Sequence, residues 1–531
     1  QEDCYDGTTK AVTVYAYDAN GNVTETVYPN GQKVIWEYDH WDRRTKETVW
    51  EQGEKKREST FAYDKNENII SITDMEGNRR KTEYDFMDRP IAMTNEANET
   101  RKIWYTLNGK VKKEVSPKQI GTGRGREYRY DVKGRLAEII NEAGILERAY
   151  SYNSEDMPME ERNGAGNVTK FAYDIGKRRV AVITPAGDAE YKTYDALDNI
   201  VESVDGEGNK TCYTLDHWGR ITKLTKADGS KEIYTYDAAG NITATTDGNG
   251  NTIEYVYNSL NKMEKVIDQQ GMEEIFRYDV MGNIAYKRDR NQNELRYLYN
   301  TDNQLIRVSN DSKESKGRKR FTLPEVSESY EYYGNGRLKK AMSKGIVFTY
   351  QYDKAGRQTE KWENGVQVLQ YKYDANGNII SQRDISGKET TYSFDVLDRM
   401  VTVCDNGKTT AKYSYYDDNR LKAIEYGNGI TTTLGYNENQ FVTRLLTTKK
   451  DGSILAENTY FYDKNGNQIE KTEKGIKTTY SYDCLNQIKT VEYDEKIKED
   501  YYYDAVGNRI KRILDGKEEI YHYNNKNQLL Q

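Results

Sequence analysis

The hexapeptide YDANGN stands at residues 17–22 and again, unchanged, at residues 373–378. YDAAGN at 236–241, YDKNGN at 462–467 and YDAVGN at 503–508 are near copies. Aligned on the tyrosine, the motif recurs 24 times between Tyr17 and Tyr523, with Leu215 and Phe394 as substitutes, and 15 of the 23 intervals are 21 residues long. A fixed period of that size is the signature of stacked supersecondary units, none of which buries a core alone.

One unit shows what is repeated. Tyr236 and Asp237 are followed by AAGN, then ITATT, DGNGN and TIEYVY, which ends on Tyr257. In the last segment Ile253, Tyr255 and Tyr257 share one face while Thr252, Glu254 and Val256 share the other, the period-two pattern of a half-buried strand. ITATT is short and β-branched, as its partner strand should be. The Asp, Asn and Gly clusters between them favour tight reversals, and Asn-Gly, a strong hairpin signal, occurs 11 times in the chain. Each unit therefore reads as two strands and two turns: the Tyr closes a strand, the Asp opens a turn, and Gly-Asn supplies the backbone geometry.

No amphipathic helical stripe extends beyond a turn or two. About 48 strands of ~6 residues would form a ribbon ~230 Å long, and sheets of that extent twist and curl. Composition bears on how it coils. Aliphatic residues are sparse, and 47 Tyr stand beside 9 Phe and 6 Trp. Tyrosine buries a large ring while its hydroxyl reaches water or a partner. Such strands suit a layer wetted on at least one side, so the expected fold is all-β: tandem β-hairpins of about 21 residues in a long spiral sheet, forming a hollow barrel or shell. Residues 1–531 are read as a single array of about 24 units, with an insertion at 309–329 that contains Pro324 and the basic run SKGRKR at 315–320. Shorter interruptions fall at 45–62 and 113–128, and 442–460 reads as a lengthened hairpin.

The 79 basic and 86 acidic residues are interspersed and give a net charge of −7, which argues against a nucleic-acid groove. No apolar stretch is long enough for a membrane span, and residues 1–30 lack a signal-peptide core. The four cysteines, Cys4, Cys212, Cys404 and Cys484, are far apart, and the three histidines, His40, His217 and His522, fall where turns are expected. No metal site, cofactor site or catalytic residue is assigned. The recurrent Asp sits where a turn needs an acceptor, and the glycine-rich GTGRGR at 121–126 lacks the ending and following helix of a phosphate loop. Two turns, DHWDR at 39–43 and DHWGR at 216–220, place Trp41 and Trp218 at their tips. These are the candidate ligand-binding residues, by stacking on a sugar; the alternative is packing over a neighbouring hairpin.

The motifs YDANGN, YDKNGN, YDAAGN and YDHWDR at this spacing resemble the YD repeat of RHS proteins over residues 5–531. That family includes bacterial polymorphic-toxin shells, the insecticidal Tc toxin cocoon, wall-associated proteins of Gram-positive bacteria and the teneurin YD shell. The resemblance implies a hairpin ribbon coiled into a hollow shell which, in toxin relatives, encloses a C-terminal toxin domain. Those relatives carry an Asp-Pro dipeptide beside which the toxin is released by self-cleavage. None of the six prolines here (Pro29, Pro90, Pro117, Pro158, Pro185, Pro324) follows Asp, so that activity is not carried over. The chain stops inside a repeat, at YHYNNKNQLLQ, without a toxin domain or plugging propeller, and is expected to be an excised repeat region or a repeat-only protein. The expected function is a non-catalytic shell segment, bacterial and secreted or at the cell surface, that encapsulates or displays a C-terminal effector. The alternative is an extracellular binding module for cell-wall or surface glycans or for a partner protein.

Overall fold

A computed structural model of the protein describes residues 2–4, 10–51, 53–310 and 325–531. The sequence motif YDAAGN shows how one hairpin is made. Asp237 Oδ1 accepts the Asn241 N–H at 2.8 Å, and the Asn241 side-chain amide donates to Asp237 Oδ2 at 2.9 Å. Gly240 sits at φ +92°, a conformation that costs glycine little. The strands that meet here, Lys231–Tyr236 and Ile242–Thr246, pair antiparallel, and the register slips by one residue at the tyrosine. The same bulge recurs at the tyrosine of neighbouring hairpins, as at Tyr257 and Tyr278. A bulge bends and twists its strand, so repeating it at one place in each hairpin curves the whole ribbon.

The result is one antiparallel sheet of 47 strands, from Val14–Tyr17 to Lys517–Ile520, each paired with its neighbours in chain order. Glu2–Cys4 and Lys10–Val12 form a separate two-stranded piece. The single helical element among the described residues is a 3₁₀ turn at Pro117–Gln119. The strands on either side of residue 52, Arg44–Glu51 and Glu54–Tyr63, are 8 and 10 residues long. The hairpin at 442–462 is lengthened as read from sequence, with strands of 7 and 9 residues. Strands Leu305–Asn310 and Glu325–Tyr332 pair with each other across the sequence insertion; Pro324 and the basic run at 315–320 lie outside the described residues.

The wall is one layer thick. In Thr252–Tyr257, residues Ile253, Tyr255 and Tyr257 are half-buried and Glu254 and Val256 exposed, the alternation read from sequence. Among the described residues the largest fully buried side chains are Val49, Val115 and Thr26. The accessible surface, 31,788 Å², exceeds the ~20,000 Å² of a compact protein of this mass. Among the described residues no dry aliphatic centre is formed.

The ribbon coils. Turns at one edge of residues 28–272 meet turns at the opposite edge of residues 300–528, with an offset of 258 residues at both Lys118–Asn376 and Glu207–Asn465. One coil therefore holds about 24 strands, and the chain makes about two coils. At ~4.8 Å per strand the circumference is ~115 Å and the diameter ~37 Å.

Candidate functional site

In a wall of this kind the working parts are the hairpin ends, since they fix curvature and closure. We call the turns that follow the repeat tyrosines Tyr-Asp turns, and those at the other edge return turns. The repeat tyrosine latches its hairpin to the preceding one. Tyr38 Oη donates to the Val23 carbonyl at 2.8 Å, Tyr236 to Ile221 at 2.8 Å, Tyr373 to Gln358 at 2.6 Å and Tyr503 to Ile488 at 2.8 Å. In each case the acceptor is the first strand residue after the preceding Tyr-Asp turn.

The last turn residue, Asn or Arg, reaches the other way, toward the following turn. Asn22 Nδ2 donates to Asp42 Oδ1 at 2.7 Å, and Asn378 Nδ2 to Asp398 Oδ1 at 2.7 Å. Where Arg replaces Asn, it caps its own Asp and donates onward: Arg178 Nε bonds Asp174 Oδ2 at 2.7 Å and its Nη1 bonds the Asp195 carbonyl at 2.7 Å. The guanidinium also lies over the next repeat tyrosine, 4.4 Å from the ring centre for Arg220 and Tyr236. The motif letters thus encode a lateral zipper, Tyr backward and Asn or Arg forward.

Two coils join where return turns of the first abut Tyr-Asp turns of the second. Asn249 Nδ2 donates to Asp504 Oδ2 at 2.9 Å and Asn465 Nδ2 to Asp205 Oδ2 at 2.7 Å. Lys118 Nζ lies 3.3 Å from Asp374 and 3.2 Å from Asp398, and Arg357 pairs with Glu99 at 3.0 Å. Close approach requires small tips. A Cβ on Gly248 would sit 2.3 Å from the Ala505 carbonyl oxygen, and one on Gly206 2.7 Å from that of Lys464. At the last contact Lys526 Nζ is 2.6 Å from Asp268, whose carboxylate is fully buried. Asp268 also accepts the N–H groups of Gln270 and Met272. These partners, Lys526 first among them, outweigh burial and hold its pKa below the ordinary value of 3.8. Along the seam a cleft of about 570 Å³ opens between Arg57, Asp74, Glu76 and the facing Tyr333, Arg337 and Asp353.

The turn carboxylates are tuned for structure. The Asn22 amide lowers the Asp18 pKa, the Arg43 guanidinium that of Asp39 and the Asn241 amide that of Asp237. Carboxylates held ionised in this way are poor proton donors near neutral pH. Tyr234 and Tyr330 shift the other way, to about 12, chiefly because each donates to a glutamate two residues earlier, Glu232 and Glu328.

Trp41 and Trp218 are both at Tyr-Asp turn tips of the first coil, 60% and 65% exposed. Each stacks on the histidine before it at 3.4 Å between ring centres, His40 and His217, with a turn arginine 4.6 Å from the indole centre. Eight hairpins separate them, so the fold does not bring them together. Trp41 walls a groove with Arg43, Tyr63 and Asp64. His522 is not in a turn but in the extended tail, where its backbone bonds Leu530 and Gln531. Sequence reasoning missed the seam residues, Asp268 and Lys526 above all.

The architecture defines a class, a single-layer coil of hairpins closed edge to edge. The RHS Repeat model matches residues 11–54 and 373–410, and the Teneurin YD-shell model matches 192–315 and 249–375. The chain belongs to the RHS/YD-repeat family. It is 30% identical over 143 residues to the tRNA3(Ser)-specific nuclease WapA of Bacillus spizizenii and 29% identical over 143 residues to the tRNA nuclease WapA of Bacillus subtilis. Each match covers 26% of this chain and only 6% of the relative. The fold matches the Photorhabdus luminescens Tc holotoxin pore with a TM-score of 0.78 at 13% identity, over 100% of this chain and 37% of that one. A TcdB2-TccC3-TEV structure matches with a TM-score of 0.78 at 14% identity, again over 100% and 37%. The chain is thus a shell segment, with no catalytic domain identified among the described residues, and no helix in it is long and apolar enough to cross a membrane.

Proposed function

We propose that this chain is a non-catalytic shell segment that encapsulates or displays a C-terminal effector or toxin domain, in a bacterial protein that is secreted or held at the cell surface. The observation that carries this reading is the single-layer wall, ~37 Å in backbone diameter and coiled about twice, which leaves a space ~27 Å across after ~5 Å of side chain on each face, wide enough for a very small domain or a partly unfolded chain. The fold likeness to Tc toxin structures and the local likeness to WapA nucleases favour the same reading. The test is a fusion in which a small ribonuclease follows Gln531. Encapsulation predicts a passenger that resists protease and stays inactive until denaturant opens the shell. A passenger cleaved and active from the outset would refute it.

A second reading is an extracellular binding module. It rests on the repeated His-Trp tips and the groove beside Trp41. Quenching of tryptophan fluorescence by cell-wall oligosaccharides, lost in Trp41→Ala and Trp218→Ala, would support it; a flat titration would remove it.

A further inference from the structure

The seam between the two coils is not fastened evenly. At one flank Gln32 donates to Asp302 at 2.6 Å, and Arg57 pairs with the same carboxylate at 3.2 Å. At the other, Asn376 accepts the Lys118 N–H at 2.9 Å, and its amide reaches Ser116 at 3.1 Å. Between these flanks stand two return turns of the first coil, 74–78 and 95–99. Here Arg357–Glu99, at 3.0 Å, is the one hydrogen bond or ion pair that crosses the seam among the described residues. A cleft opens on each side of it, and Arg80 lines both. The first, of about 570 Å³, sets Asp74 and Glu76 against Tyr333 and Lys354. The second, of about 560 Å³, sets Met93 and Pro117 against Ala355 and Ala375. Glu76 and Lys354 stand on opposite banks, without a partner among the described residues. Where the seam is tight there is no such room: a Cβ on Gly164 would sit 3.3 Å from the Asp417 carbonyl oxygen.

We propose that this stretch is a lateral gate in the wall, with Arg357–Glu99 as its clasp. The banks part here first, while the ribbon and the rest of the seam stay closed. Strands pair only with their neighbours in chain order, and no backbone–backbone hydrogen bond crosses the seam among the described residues, so parting breaks no sheet ladder. Each half of the clasp is also held by its own coil. Arg357 Nε bonds Asp353 Oδ2 at 2.7 Å and its Nη1 the Asp374 carbonyl at 2.9 Å, while Glu99 Oε2 accepts the Asn95 amide at 2.8 Å. Breaking the pair therefore leaves the turns on both banks capped. In a shell that carries cargo the gate is a side exit; that clause alone rests on the encapsulation reading.

The test is a pair of distances measured by double electron–electron resonance on the whole chain. One pair of spin labels, carried on keto amino acids at positions 76 and 354, spans the gate. A second pair, at 165 and 438, spans a fastened part of the seam, where the Asn167 amide donates to the Glu438 carbonyl at 2.9 Å. All four positions are exposed. With Glu99→Ala the 76–354 distribution should gain a component longer by about 5 Å, one strand spacing, and the 165–438 distribution should not move. An unmoved 76–354 distance overturns the gate, and so does an equal lengthening of both. If circular dichroism shows Glu99→Ala to be misfolded, the same labels are read in the otherwise unaltered chain as salt is raised to screen the ion pair. The gate then requires 76–354 to lengthen before 165–438, and the reverse order overturns it. In the ribonuclease fusion described above, Glu99→Ala should hasten digestion of the passenger. A passenger already cleaved without that substitution refutes encapsulation and leaves the two distances to decide the gate.

Discussion

In the first coil most return turns are five-residue loops, many of them capped by a side chain. Asp74, Asp205 and Asp247 each accept the N–H four residues on, and Gly206 and Gly248 present bare backbone to the second coil. In the second coil the same edge closes at five places with two-residue turns: Lys344-Gly345, Asn364-Gly365, Asn406-Gly407, Lys474-Gly475 and Asp515-Gly516, all at positive φ. These are the primed turns that match strand twist with the least chain. The Tyr-Asp edge shows the reverse contrast, with large bare tips such as Phe86 and Leu107 on the first coil and Gly334, Ala375 or Ala505 facing the seam on the second. An edge that must receive a neighbour keeps capped loops and small tips, and an edge that does not is free to shorten or to carry bulk.

Acid should produce the largest effect and act on both coils alike. The capped carboxylates Asp18, Asp39 and Asp237 have folded-state pKa values below 3.8. Their contribution is complete above that ordinary value and is lost as pH falls through the depressed folded values. Melting temperature should therefore hold down to about pH 4 and drop steeply below it. A second coil that melts alone in acid, followed by hydrogen exchange, would break the symmetry of the caps.

Lys526→Met comes next, at about 1–3 kcal/mol, because it leaves the buried Asp268 carboxylate with Arg290 at 3.7 Å and two backbone N–H groups but without its closest cation. Hydrogen exchange should accelerate in residues 504–528 and hardly change in the first coil. Gly248→Ala forces a Cβ against the Ala505 carbonyl and should cost about 1–3 kcal/mol, whereas Ile385→Ala, at a bare tip of the second coil, should leave the denaturation midpoint unmoved. Equal losses at both positions would erase the distinction between seam and rim. The smallest effect is that of the latch. Tyr236→Phe in the first coil and Tyr503→Phe in the second should each cost about 0.5–1.5 kcal/mol, and unequal losses would mean that the zipper depends on its coil.

Local chemistry made the hairpin readable. Tyr236, Asp237, Gly240 and Asn241 do in three dimensions what their order suggests, and the alternation in TIEYVY marked the half-buried face. The hollow coil followed from sparse aliphatics and the length of the ribbon. The pairing of Asp268 with Lys526 was not readable, because it depends on how many strands complete one circuit. That number sums small bends at the recurrent bulges, and no short stretch contains it. The tips of Trp41 and Trp218 were placed correctly, but their exposure depends on which coil lies above them.

The latch hydroxyls of Tyr38, Tyr236, Tyr373 and Tyr503 each point to an acceptor already made, fifteen residues upstream. A nascent chain leaving the ribosome amino end first can therefore lock each loop onto finished sheet, one increment at a time, without waiting for distant partners. Only the seam demands memory over half the polypeptide, and it closes as a zip fastener does, tooth after tooth along a track the first circuit has laid down.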